Sequence, residues 1–89
     1  MKASAVKLAA GAYEVVAGET TLGYVNRTGR PGVDDYPWEW YLAHGIESQL
    51  LTGRATGLTD TKAGSVELVM LAAGYDSNGN PAEESRRET

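Results

Sequence analysis

Few side chains in this sequence can do chemistry alone, and their spacing decides what remains. His44 is the only histidine and there is no cysteine. A thiolate nucleophile, a thiolate zinc site and a disulfide framework are therefore excluded. A single imidazole also excludes most nucleophile–base pairs. A metal at His44 would need Asp34, Asp35 or Glu47 as further ligands, and their spacing fits no zinc pattern. The adjacent carboxylates Asp34 and Asp35 can serve as acid and base only in a cleft that separates their pKa values. Within "TGRPGVDDYP" they read as a solvated turn. Asp76, Asn78 and Asn80 alternate as in a calcium loop, but Gly79 is misplaced and the terminal bidentate glutamate is missing. "GRATGLTDTK" has the glycines of a phosphate-binding loop without its Gly-Lys-Ser/Thr ending. Lys62 beside a helix start can still meet a phosphate, with Asp60 opposing it. No catalytic, cofactor-binding or metal-ligating residue emerges, and the expectation is a non-enzymatic protein.

The large side chains point to packing and recognition instead. There is no Phe, and Trp38 and Trp40 are the only tryptophans, both within "YPWEWYLAHG". Read as a strand, this stretch puts Trp38, Trp40 and Leu42 on one face and Glu39, Tyr41 and Ala43 on the other. Read as a helix, it has Asp35 as a cap and Gly45 as a terminator. The run is short and rich in Trp and Tyr, which favours the strand. A chain of 89 residues with so few bulky groups needs its tryptophans in the core. That leaves Tyr41 outward, beside the loop that contains Tyr36. Arg27, Arg30 and Arg54 are the basic side chains of the loops and strand ends. Tyr and Arg are enriched at binding hot spots. The expected partner-binding residues are therefore Arg27, Arg30, Tyr36, Tyr41 and Arg54.

The elements that must position these residues are few. Ala12 to Val16 and Thr21 to Arg27 read as the strands of a hairpin, with Gly18 in the turn and Gly23 allowing a close approach. Gln49 to Thr52 reads as a short edge strand, and Gly53 and Gly57 make the following segment a loop. From 61 to 73 a helix is expected, capped by Asp60 or Thr61 and ended by Gly74. A buried strand is the alternative there. As a helix this segment is apolar on more sides than a small sheet covers, which points to a homodimer through its apolar surface. The fold class is thus α+β: an antiparallel sheet of three to four strands packed against one C-terminal helix. Residues 1–74 form the single domain. Residues 75–89, including "DSNGNPAEESRRET", read as a disordered polar tail.

The formal charge is −4, spread evenly: six basic and eight acidic side chains up to Gly74, then two arginines and four acids. This mild acidity opposes nonspecific attraction to nucleic acid. No stretch is long enough to span a membrane, and Lys7 and Glu14 interrupt the N-terminal apolar residues where a signal peptide would continue. A cytoplasmic location and no membrane partner are expected.

Gly11-Ala12-Tyr13-Glu14-Val15, Leu22-Gly23-Tyr24-Val25, Trp38 and Thr61-Lys62-Ala63 together follow a known small plan. Over residues 10 to 74 it resembles the three-stranded-sheet-plus-helix domains that bind DNA near the N-terminus of tyrosine recombinases. It is also similar to small proteins of bacteriophages and actinobacteria. The resemblance implies a sheet face that enters a DNA groove, at positions including Glu14, Glu39, Tyr41 and Arg27. Glu14 and Glu39 depart from that pattern by placing carboxylates where phosphates would approach. The expected function is a protein-binding module, such as a phage or bacterial accessory factor acting on a host protein. DNA binding through the sheet is the alternative, and small-ligand binding or catalysis comes last.

Overall fold

Alternation in the Trp-bearing stretch sets the two layers of the molecule. The computed structural model describes residues 2–82. In it Trp38–Leu42 is a strand, with Trp40 and Leu42 buried, Trp38 half-buried, and Tyr41 exposed on the opposite face. Five strands follow in chain order: β1 (Ala3–Ala9), β2 (Ala12–Ala17), β3 (Thr20–Arg27), β4 (Trp38–Leu42) and β5 (Thr56–Thr59). They form one sheet in the order β1-β2-β3-β4-β5, each neighbour antiparallel. The helix α1 (Lys62–Ala72) packs on one face, chiefly against β3 and β4. The architecture is α+β with one C-terminal helix.

The sheet has five strands where three to four were expected, for two physical reasons. β1 is rich in alanine, which lacks β-branched bulk, so its sequence carries little strand signal. Its pairing to β2 supplies the order instead, through a two-residue turn whose Gly11 takes φ 74°. The edge strand after β4 is Thr56–Thr59, and Gln49–Thr52 belongs to a loop. Gly57 looked like a breaker; in fact its missing side chain makes room for tryptophan. A Cβ there would stand 2.7 Å from Trp40 Nε1. Gly57 lies directly opposite Trp40 across the β4–β5 ladder, so the indole covers the glycine.

Glycine also lets the helix dock. A Cβ on Gly23 would stand 2.8 Å from Val69 Cγ1 and 2.5 Å from the Tyr41 carbonyl. Val15, Val25, Trp40 and Leu42 from the sheet therefore close on Val69, Met70 and Ala72. Thr61 caps the helix by accepting from the Gly64 N–H at 3.0 Å. At the other end Gly74, at φ 92°, donates to Leu71 O and Tyr75 to Met70 O, a Schellman ending. The Thr59 hydroxyl donates to Thr61 O and lies 2.6 Å from Ser65 Oγ, both hydroxyls being buried. This pair ties β5 to the start of α1.

The helix receives cover from its own chain. The 43–55 loop packs Ile46 and Leu50 against the core and donates Gln49 N–H to Ala72 O at 2.7 Å. The polar stretch after Gly74 is folded as far as Ala82. Asp76 Oδ1 accepts from the Asn78 and Asn80 N–H groups, and the Gly79 carbonyl accepts from Ala3 N–H. Residues 83–89 of the expected tail lie outside the described residues.

Trp40→Ala should lower unfolding free energy by about 3–5 kcal/mol, while Tyr41→Ala should cost about 0.5–1.5 kcal/mol, the worth of its ring pairing. Gly57→Ala should destabilise by about 1–3 kcal/mol, although alanine ordinarily suits a strand better than glycine. Urea titration of the three variants measures all of these.

Candidate functional site

The residues singled out by type fall on separate surfaces. Tyr41 is on the sheet face away from the helix, its ring centroid 5.3 Å from that of Tyr24, and Asn26 Nδ2 donates to its hydroxyl at 3.4 Å. Glu14 and Glu39 share that face, Glu14 accepting from the Thr21 hydroxyl at 2.6 Å. Arg27 ends β3 on the helix-side face. Near it, Lys7 lies opposite Tyr13, and Lys62 Nζ stands 4.5 Å from the Tyr13 ring centroid. Arg30 and Tyr36 are exposed in the 28–37 loop, where the Arg30 N–H donates to Asp34 Oδ2. His44 follows the far end of β4, away from Asp34 and Asp35, so these three do not converge. Among the described residues no group of three His, Asp or Glu side chains is placed to hold a metal. Of the five expected binding residues, Arg54 lines the cleft between β5, the preceding loop and the helix.

That cavity is built by β5 and the loop before it. The loop is held by its own hydroxyls: Ser48 Oγ donates to Arg54 O at 2.6 Å, and Thr52 Oγ1 accepts from the Arg54 N–H at 3.4 Å. Gly53, at φ 71°, turns the chain back toward the sheet. The result is an open cleft of about 420 Å³ between loop, helix and sheet edge. Trp40 and Gly57 form its floor, Leu50, Leu51 and Leu68 its walls, and Leu58 its lip. Arg54 is the one charged side chain lining it. Leu51 is fully exposed and Leu58 is 57% exposed, so the cleft presents apolar surface to water. That is an unfavourable state for a domain whose other large aliphatics mostly line the core.

The cleft borders a free strand edge. Leu42 donates its N–H to Ala55 O at 2.8 Å, which fixes the parity of the β4–β5 ladder. Ala55, Gly57 and Thr59 point their backbone groups at β4, and Thr56 and Leu58 point theirs outward. β5 carries no charge, no proline and no bulge. The opposite edge is managed differently. β1 carries Lys7, breaks register between Lys7 and Ala9, and has its first N–H bonded to Gly79 O at 2.6 Å. Charge, irregularity and a covering turn are the usual devices that stop an edge from pairing. Only the shortness of β5 protects it.

Sequence reasoning placed Arg54 among the binding residues but missed Leu51, Leu58 and Leu68. The signal available is the aliphatic pair Leu50-Leu51 inside an otherwise polar loop, which by local pattern also fits the edge strand expected over Gln49 to Thr52. No family model, curated protein or solved structure matches the chain.

The cleft should bind a hydrophobic dye in the native state. Fluorescence of anilinonaphthalene sulfonate should rise on addition of folded protein. The double variant Leu51→Gln, Leu58→Gln should lose more than about half of that rise with little change in melting temperature, because both side chains are exposed.

Proposed function

We propose that this protein is a non-enzymatic protein-binding module that takes an extended polypeptide strand onto the open edge of β5. The observation that carries the reading is the apolar cleft lying directly beside an unprotected strand edge. Strand addition supplies backbone hydrogen bonds from one partner's edge and pockets for alternate side chains. Here the outward groups of Thr56 and Leu58 supply the first, and the space between Leu68, Leu50 and Trp40 supplies the second. An added strand would extend the sheet under the same helix layer that already covers β4. Its inward side chains would enter the cleft and its backbone would close the ladder.

The chemistry of the other surfaces supports a protein partner over DNA. The sheet face that a DNA reader would present has Glu14 and Glu39 beside its tyrosines. Arg27, Lys7 and Lys62 sit on the opposite face, around the edge of the helix. No helix of the described residues is long and apolar enough to cross a membrane.

Peptides selected from a displayed random library against dilute protein provide the test. Thr56→Pro removes one outward N–H and should weaken the selected peptides by at least about tenfold. Thr56→Val removes the hydroxyl that donates to Trp40 O at 2.9 Å but keeps the N–H, and should bind as the parent does. Equal binding by the proline variant, or a library that yields no binder, would overturn the reading.

A further inference from the structure

The edge of β5 is matched in charge to itself. Arg54 lies three residues before Gly57 and Asp60 three residues after it. Neither side chain has an ion-pair or hydrogen-bond partner among the described residues. We infer that the strand accepted by β5 is β5 of a second copy, paired antiparallel about a two-fold axis at Gly57. This rests on the strand-addition reading above and names the partner for the same edge.

Backbone parity allows only a few registers. A ladder needs outward groups to meet outward groups, and in β5 these belong to Thr56 and Leu58. Centring the axis on Thr56 puts Arg54 opposite the partner's Leu58. Centring it on Leu58 puts Arg54 opposite the partner's Lys62, a like charge. Centring it on Gly57 pairs Thr56 with the partner's Leu58 on both sides, for about four ladder bonds. That register also sets Arg54 opposite the partner's Asp60, twice by symmetry. One register therefore satisfies both the hydrogen bonds and the charges.

The same axis accounts for the apolar surface. A two-fold perpendicular to the sheet keeps both helices on one side, so the two clefts adjoin. Leu51 and Leu68 of one copy then face their equivalents, and Leu58 lies diagonal to the partner's Leu58 on the outer face. The glycine at the centre lets the two backbones meet with no side chain between them, while each Trp40 covers its own Gly57 from the helix side. The product is a continuous sheet through both copies, with the two β1 edges, already charged and capped, as its outer limits.

Sedimentation of the full chain across a concentration series tests this directly. The parent should show a concentration-dependent dimer. Arg54→Asp and Asp60→Arg should each weaken it by about tenfold, since both symmetry-related pairs turn repulsive. The double variant Arg54→Asp, Asp60→Arg should restore the dimer. Both side chains are exposed, so each variant should keep the parent's circular dichroism. A parent that stays monomeric, or a dimer indifferent to the swap, overturns the inference. If the monomer still binds library peptides through the Thr56 N–H, strand addition survives and only the second copy is lost. If it binds none, both are lost.

Discussion

The contact between the Trp40 indole and Gly57 is the constraint on which the rest of the molecule depends. Because Gly57 has no Cβ, which would stand 2.7 Å from Trp40 Nε1, the largest side chain of the core can pack against the last strand. That contact draws β5 into the sheet and thereby gives the Thr59–Ser65 hydroxyl pair its place at the start of the helix. It also leaves β5 with no inward side chain at its centre. Trp40 and Gly57 also line the cleft beside Leu50, Leu68 and the sheet edge. Core packing and the cleft thus share one contact. An 89-residue chain without Phe or Cys has few other ways to anchor a fifth strand.

The two edges of the sheet show how a small antiparallel domain distributes its liabilities. β1 is weak in propensity, yet it is a guarded edge: Lys7 interrupts it, its register breaks, and the 76–80 turn bonds its first N–H. β5 combines a covered centre with a bare outer edge. An isolated sheet would gain by guarding both. Here one edge is guarded and the other has apolar surface beside it. The net charge of −4 favours solubility and opposes nonspecific association of copies.

Where packing dominated, the sequence was legible. Alternation placed Trp40 and Leu42 inward and Tyr41 outward, and the helix ended at the glycine whose positive φ such an ending favours. The turn at Gly18, with φ 61°, followed from the same logic. Legibility failed where a residue's role was defined by something distant in the chain. Gly57 reads locally as a breaker, and only the Trp40 ring across the ladder makes it a strand residue. β1, rich in alanine, carries little strand signal until Val15 and Ala17 are placed beside it. The Gly74–Ala82 segment reads as polar and featureless, yet Asp76 closes it into a turn that bonds to β1. The candidate site inherits this difficulty, because Trp40, the 50–54 loop segment, β5 and Leu68 form the cleft only once the sheet and helix are packed together. Of its residues only Arg54 announced itself by chemical type.

The size of the core sets how far the exposed edge can be tolerated. Its buried aliphatics are mainly valine, leucine and alanine, with one methionine, around a single fully covered tryptophan. A domain of this kind has a stability of roughly 5–15 kcal/mol at best. Leaving Leu51 and Leu58 in water forgoes burial worth about 1.5–3 kcal/mol for each side chain. Polar replacements at both positions would cost the isolated fold little, since neither side chain is buried in it. Within the monomer, Leu51 buries nothing and Leu58 buries less than half of its surface. Arg54 and Asp60 likewise have no side-chain partner among the described residues and stand three residues to either side of Gly57. Leu51, Leu58, Arg54 and Asp60 are thus the exposed side chains that the proposed pairing of β5 would engage.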